Sequence, residues 1–217
     1  MKYWFFDLDG TLADTDRDIR ESWKATLVDL GLECPNFDRD FVAGPPIDEM
    51  VRQLFPGQFT PALADAVRTG FARHYDTDGL PNTVPYPNAL ACAQALKARG
   101  DYIAIVTNKR YVGATAVMKK FGWEKLFDAL HTGDMDLALG VLGGRKLRKT
   151  DLLKRVIADL NAPLADCVMI GDTKSDFEAA AYCGIASIGV TWGYGTSEEL
   201  AMATRVVANA DEIARCA

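Results

Sequence analysis

The segment Tyr3-Trp4-Phe5-Phe6-Asp7-Leu8-Asp9-Gly10-Thr11-Leu12 places two carboxylates directly after an unbroken run of bulky apolar residues. Such a run is typical of a strand that is buried on both faces. Because α/β sheets bind ligands at the carboxyl ends of their strands, we expect Asp7 at such an end, with Asp9 on the same side. Two carboxylates this close repel each other and need a cation, a shared proton or full solvation. The segment alone leaves both a functional site and a solvated turn open.

The composition restricts the class of protein. At 217 residues, 49% hydrophobic and 25% charged, the chain suits one large domain or a domain with a sizeable insertion. A formal net charge of -6 argues against a general nucleic-acid binder or a membrane-surface binder. The densest basic run, 144–149, is short. We therefore expect no nucleic acid and no membrane among the partners.

The cysteine pattern indicates a reducing compartment. The cysteines are scattered and odd in number, which points to free thiols rather than a disulfide framework. With 2 histidines in the chain, zinc-ligand spacing is absent. The residues before Asp7 are too few for a signal peptide, and no apolar run approaches a membrane span. These features predict a cytoplasmic protein. The cysteines are Cys34, Cys92, Cys167, Cys183 and Cys216.

Hydrophobic periodicity divides the chain into a helical stretch and an alternating stretch. Residues 14–83 show helical spacing and no strand pattern, which predicts a helical insertion after the first strand. From residue 88 onward, helical and strand patterns alternate, which predicts a mostly parallel sheet with right-handed crossovers. The segment 134–149 shows no clear pattern, and a helix capped by Thr150 is expected after it. The later strands are expected at 102–106, 127–132, 167–170 and 185–190.

Polar side chains follow these strands at the point where each strand ends. Thr107 and Asn108 follow the second strand, and Asp172 follows a later one, with Asp176 one helical turn beyond. Because the carboxyl ends of parallel strands meet at one edge of a sheet, these residues can converge with the first two acids. Several carboxylates without histidine or cysteine form a hard oxygen site that suits Mg²⁺. The sequence therefore favours a magnesium site over a solvated turn.

Four motifs of the chain resemble those of the haloacid dehalogenase superfamily. They are Asp7-Leu8-Asp9-Gly10-Thr11-Leu12, Val106-Thr107-Asn108, a lysine at 149, and Gly171-Asp172-Thr173-Lys174-Ser175-Asp176. The resemblance spans the whole chain and is closest to the phosphoglycolate phosphatase-like group, to which Val190-Thr191-Trp192-Gly193-Tyr194-Gly195 is also similar. It implies an α/β fold with a Rossmann-like parallel sheet core and helices on both faces. The core would comprise residues 1–13 and 84–217, and residues 14–83 would form an inserted all-helical cap domain.

The resemblance also implies a Mg²⁺-dependent phosphatase that works through an aspartyl-phosphate. Asp7 would be the nucleophile, and Asp9 would protonate the leaving group and then activate water. The phosphoryl oxygens would be bound by Thr107, Asn108 and Lys149. The expected Mg²⁺ ligands are Asp7, the backbone carbonyl of Asp9, and Asp172, with Asp176 either a ligand or a support.

The substrate stays open at this stage. 2-Phosphoglycolate is the leading substrate among small phosphomonoesters, and the alternatives are a 5'-nucleotidase-like phosphatase or a phosphosugar mutase of the same family. The acid at position 9 favours phosphate esters, because family members that cleave carbon–halogen or carbon–phosphorus bonds lack it. A non-enzymatic phospho-acceptor switch is disfavoured by the helical insertion. The expected partner is a small phosphorylated metabolite, and the expected state is a monomer or a homodimer.

Several single residues have two readings. Lys146 competes with Lys149, because the proline that usually follows the family's lysine is threonine here. Lys109 would either line the mouth of a pocket or belong to a solvated helix start. Trp192 and Tyr194 are expected to be packing residues or loop anchors rather than ligand contacts.

Overall fold

The computed structural model describes residues 1–77 and 79–215, which fall into two compact units. The first, here the core unit, comprises Met1–Asp14 with Val84–Ala217, and the second, the inserted unit, comprises Thr15–Thr83. The division lies one residue after the boundary expected at residue 13. Cys216 lies outside the described residues.

Eight strands are present in the described residues. They are β1 Tyr3–Phe6, β2 Ala13–Asp14, β3 Val84–Pro85, β4 Tyr102–Thr107, β5 Ala129–Thr132, β6 Cys167–Gly171, β7 Ala186–Val190 and β8 Arg205–Val207. Six of them form one parallel sheet in the order β5-β4-β1-β6-β7-β8, while β2 and β3 pair antiparallel. The predicted parallel α/β sheet is confirmed.

The helices alternate with these strands in the core unit and stand alone in the inserted unit. They are α1 Asp16–Asp29, α2 Phe37–Asp40, α3 Ile47–Leu54, α4 Pro61–Thr77, α5 Pro87–Ala98, α6 Tyr111–Phe121, α7 Met135–Ala138, α8 Lys149–Asp159, α9 Lys174–Cys183, α10 Ser197–Leu200 and α11 Asp211–Arg215. Short 3₁₀ turns occupy Trp123–Lys125 and Leu164–Asp166. No described helix has the length and apolarity needed to cross a membrane.

Strand β1 lies at the centre of the sheet. Tyr3 is level with Tyr102 of β4 on one side and with Cys167 of β6 on the other. Successive side chains of a strand point to opposite faces. Phe5 belongs to a buried apolar cluster that includes residues of α8 and α9, while Trp4 and Phe6 are buried on the opposite face. The unbroken apolar run is therefore explained by burial of both faces.

One expectation for the core unit is wrong in detail, and two further elements were not assigned from the sequence. The helix expected to be capped by Thr150 begins one residue earlier, at Lys149, with Arg148 at its N-cap. Within the unassigned segment 134–149, residues Met135–Ala138 form α7. The last strand, β8, was not expected, because a three-residue edge strand has too little sequence to show periodicity.

The inserted unit is helical, and one carboxylate ties its two ends together. Asp18 of α1 accepts hydrogen bonds from the backbone N–H groups of Asn82 (3.1 Å) and Thr83 (2.7 Å) and from both of their side chains. Burial alone would raise the pKa of Asp18, but these hydrogen bonds outweigh it and hold the pKa below its ordinary value. Asp18 thus fixes the returning chain to the first helix.

Asp18→Asn is expected to lower the free energy of unfolding by about 2 kcal/mol, because an amide turns an N–H₂ group towards backbone donors. A lowered folded-state pKa stabilises the fold above the unfolded-state pKa of about 4, and that stabilisation is lost as the pH falls. The difference from wild type in urea unfolding should therefore shrink between pH 5 and pH 3.

The matched control is Asp38→Asn, whose carboxylate is 74% exposed and pairs with Lys24. An exposed ion pair contributes little, so this variant should lose no more than about 0.5 kcal/mol. Equal losses for both variants would contradict the role of Asp18.

Candidate active site

Asp7 lies directly beyond β1, at the sheet edge where β4 and β6 also end. Its N–H donates to the carbonyl of Ile170 at 2.8 Å, and the chain then turns back with three N–H groups donating to the Leu8 carbonyl. Gly10 adopts φ +78° in this turn, and a Cβ there would overlap the Asp172 carboxylate. The turn therefore needs glycine both for its backbone angle and for the close approach of Asp172.

Three predicted site residues form one buried acidic cluster. Ligand oxygens of Asp7, Asp172 and Asp176 all lie within 4.8 Å of one another. Asp172 and Asp176 are 0% exposed, and both are far from Asp7 in the sequence. The parallel register of β1 with β6 brings them together.

Lys149 is the cation of this cluster. Its Nζ lies 2.9 Å from Asp7 Oδ1 and also donates to Asp176 Oδ1. The chain before it is fixed by a 2.7 Å hydrogen bond from the N–H of Leu147 to the carbonyl of Gly133, just beyond β5. Lys146 is exposed. Of the two candidate lysines, the structure brings Lys149 to the acids.

Asp176 caps a helix and also belongs to the buried cluster. It lies in the first turn of α9, where Oδ2 accepts from the N–H (3.1 Å) and the hydroxyl (3.0 Å) of Thr173. Its other oxygen accepts from Lys149. A helix-capping acid therefore also belongs to the buried cluster.

Asp9 is not one of the three acids of this cluster, and its carboxylate pairs with a second lysine. Lys109 Nζ lies 2.8 Å from Asp9 Oδ1, and the Lys109 side chain is 6% exposed. The solvated reading of Lys109 is therefore wrong. The sequence signal that pointed to it was its position directly after Thr107 and Asn108, at the end of a buried strand.

Thr107 and Asn108 lie at the end of β4, beside the acids. The hydroxyl oxygen of Thr107 accepts from the N–H of Lys109 at 3.2 Å, so its own hydrogen is directed elsewhere. Asn108 Nδ2 donates to Ser175 Oγ at 2.8 Å, which connects the end of β4 to the first turn of α9. Ser175 is a contact that the sequence did not predict, although it lies within a quoted motif.

The proximity of these acids changes their proton affinities. Burial, repulsion by Asp176 and repulsion by Asp9 raise the pKa of Asp7 to about 6, against the opposing attraction of Lys149. Burial and repulsion by Asp176 and Asp7 raise the pKa of Asp172 to about 8. Burial alone would lower the pKa of Lys149, but Asp176 and Asp7 raise it above its usual value.

The cluster fits a hard divalent cation. It offers carboxylate oxygens, which Mg²⁺ prefers, and its negative charge exceeds the positive charge of Lys149. Asp7 Oδ1 is buried and has no aligned hydrogen bond, so one oxygen of the nucleophile candidate still lacks a well-oriented partner. Residues that could hold such an ion are thus Asp7, Asp172 and Asp176.

A parallel α/β sheet with buried acids and a lysine at its carboxyl edge is typical of an enzyme active site. Residues 4–190 match the model of the haloacid dehalogenase-like hydrolase family. The chain belongs to this family. The predicted superfamily and the predicted class of enzyme, a hydrolase, are confirmed.

Three known proteins show what the chain is similar to. It is 28% identical over 196 residues to a 5'-nucleotidase from Pseudomonas aeruginosa, which covers 90% of this chain and 85% of that protein. It is 33% identical over 199 residues to a phosphoglycolate phosphatase from Neisseria meningitidis serogroup A, which covers 88% and 80%. The crystal structure of a predicted phosphatase from Clostridium acetobutylicum matches with a TM-score of 0.86 and 27% identity, over 99% of this chain and 97% of that one. The predicted fold is confirmed along nearly the whole chain.

Asp172→Asn is expected to change how the stability of the metal-free protein depends on pH. A folded-state pKa near 8, above the unfolded value of about 4, means that the folded protein binds this proton more tightly. Its contribution to stability is complete below pH 4 and is lost as the pH rises through 8. The variant lacks this proton, so its stability relative to wild type should rise by on the order of 3 kcal/mol between pH 5.5 and pH 8.5.

Urea unfolding in a chelating buffer at several pH values measures this difference. A difference between the two proteins that stays constant with pH would contradict the raised pKa of Asp172.

Proposed function

We propose that the chain is a Mg²⁺-dependent phosphatase of small phosphomonoesters, with 2-phosphoglycolate as its leading substrate. The observation that carries this proposal is the placement of Asp7, which ends the central strand, lies 2.9 Å from Lys149 and shares a buried cluster with Asp172. Family membership and phosphatase relatives support the same reaction.

Asp7 serves as the nucleophile. Its carboxylate attacks phosphorus, the bond from phosphorus to the ester oxygen breaks, and an aspartyl-phosphate forms. Water then attacks this intermediate, releasing inorganic phosphate and restoring the carboxylate. Lys149 favours the ionised form of Asp7 that the first step requires.

Asp9 moves the proton in both steps. It gives a proton to the departing alkoxide in the first step and takes one from the attacking water in the second. Its ion pair with Lys109 keeps the carboxylate at the same sheet edge as Asp7. Each of the two acids has its own lysine, but only Asp7 shares the buried cluster with Asp172 and Asp176.

The phosphoryl group is held by the end of β4 and the start of α8. Thr107 directs its hydroxyl hydrogen away from Lys109, so that it can donate to a phosphoryl oxygen, and Asn108 contributes its backbone N–H. Lys149 offsets the negative charge of the phosphoryl group during its transfer, as phosphoryl transfer requires. All three residues belong to the core unit.

Magnesium would be held by Asp7, the backbone carbonyl of Asp9, and Asp172. When bound, it neutralises negative charge on the acids and on the phosphoryl group. Asp176 accepts a hydrogen bond from Lys149 and so holds this lysine beside the cluster. The positive charge of a bound ion would lower the raised pKa values of Asp7 and Asp172.

The substrate class follows from the position-9 acid and from the relatives. The acid favours phosphate esters, and a relative named phosphoglycolate phosphatase supports 2-phosphoglycolate. A nucleotide substrate is the second candidate, supported by the relative named 5'-nucleotidase. A cytoplasmic location and a capping role for the inserted unit stay predictions, as does a monomeric or homodimeric state.

Asp7→Asn should lower Mg²⁺-dependent phosphate release by about 10³-fold or more, because an amide cannot form the aspartyl-phosphate. Release from 2-phosphoglycolate, nucleoside 5'-monophosphates and a phosphosugar is measured with and without a bisphosphate activator. The highest kcat/KM is expected for 2-phosphoglycolate, without the activator. Asp38→Asn serves as the control, and near-normal turnover by Asp7→Asn would refute the mechanism.

Lys149→Met and Lys146→Met provide a matched pair that tests which lysine binds phosphate. Lys149 is buried beside Asp7, while Lys146 is exposed, so only the first should lower kcat/KM, by about 10²-fold or more. The same kinetic assay with the preferred substrate measures both variants. A larger effect of Lys146→Met would move the anion site away from α8.

A further inference from the structure

The segment 192–195, which follows β7, contacts the acidic cluster although it supplies no acid. Within it, the backbone N–H of Tyr194 donates to Asp172 Oδ2 at 2.7 Å. The other oxygen, Asp172 Oδ1, accepts from the hydroxyl of Thr11 at 2.9 Å. Each oxygen of this buried carboxylate is therefore held by a separate donor.

The two donors are themselves held in place. Trp192 Nε1 donates to the carbonyl of Thr11 at 3.1 Å, so one segment fixes the residue that binds Asp172 Oδ1. The hydroxyl of Tyr194 donates to Asp14 Oδ1 at 3.0 Å. Asp14 ends β2, at the point where the chain leaves the core unit. The donors thus form a connected set rather than two independent contacts.

Two glycines allow this segment to approach Asp172 so closely. A Cβ at Gly193 would overlap the Asp172 side chain, and a Cβ at Gly195 would overlap the Asp172 carbonyl oxygen. Any other residue at either position would force the segment or the acid to move. The glycines therefore have a role in the site that their sequence alone does not reveal.

We propose that residues 192–195 together with Thr11 form a clamp that fixes the orientation of the Asp172 carboxylate and thereby sets the affinity of the site for a divalent cation. This inference rests on the proposed cation site. Residues that orient a metal ligand are worth as much to affinity as some ligands, because a free carboxylate must lose rotamer freedom when the ion binds. Tyr194 and Trp192 are therefore positioning residues, not merely packing residues.

The clamp is distinguished from simple packing by what each contact does. A packing role requires the ring of Tyr194 but not its hydroxyl, whereas the clamp requires the hydroxyl bond to Asp14. Likewise, packing at position 11 is preserved by valine, whereas the clamp loses the donor to Asp172. Conservative variants that keep shape and remove one polar group therefore separate the two roles.

Calorimetric titration of the metal-free full chain with Mg²⁺ tests the clamp, and it does not depend on turnover. Thr11→Val should weaken Mg²⁺ binding by about 10-fold or more, and Tyr194→Phe by about 3-fold or more. Gly195→Ala should weaken Mg²⁺ binding more than either of these two variants does. Tyr182→Phe is the matched control, because Tyr182 is 56% exposed and contacts Lys154, and its affinity should stay within about twofold of wild type.

Thermal unfolding of the metal-free variants shows whether the fold is kept. If Gly195→Ala does not fold, Thr11→Val and Tyr194→Phe decide. If both of these variants bind Mg²⁺ as tightly as wild type does, the clamp is overturned and the proposed function stays intact. Absence of Mg²⁺ binding by wild type would overturn both.

Discussion

The repulsion among Asp7, Asp172 and Asp176 is the constraint on which the site depends. Buried carboxylates at such short range are costly unless a positive charge compensates them. Lys149 compensates part of that charge, and the proposed divalent cation would compensate the rest. The same surplus of negative charge makes the metal-free protein sensitive to pH. The proposed cation binding and the stability of the fold would therefore be coupled at one place.

Much of this arrangement could be predicted from the sequence, because strand ends and charge were both visible. The apolar run before Asp7 indicated a central strand, and a parallel sheet places the ends of its strands at one edge. Asp172 and Thr107 could be added to the site on that argument alone. The inserted helical stretch was visible because residues 14–83 lack strand periodicity. The catalytic roles of Asp172 and Thr107 stay predictions.

The rest could not be predicted, because it depends on contacts between distant residues. The ion pair of Lys109 with Asp9 joins residues that are far apart in the chain, and a lysine after a strand has no periodicity that predicts a partner. The segment before α8 is held by a hydrogen bond to Gly133, a residue from an earlier part of the chain. Substrate specificity is the property that the sequence predicts least, since relatives of similar identity are named for different substrates.

The central position of β1 has a consequence for synthesis of the chain. Its partners β4 and β6 lie far downstream, so it cannot complete its pairing until the ribosome has produced the residues of β6. Until then Trp4, Phe5 and Phe6 form an unpaired apolar segment of the nascent chain. Non-local pairings form slowly and are prone to aggregation while they wait. The strand that precedes Asp7 is made before both of its partners and completes its pairing late, so early folding has to proceed elsewhere, in elements whose contacts are local.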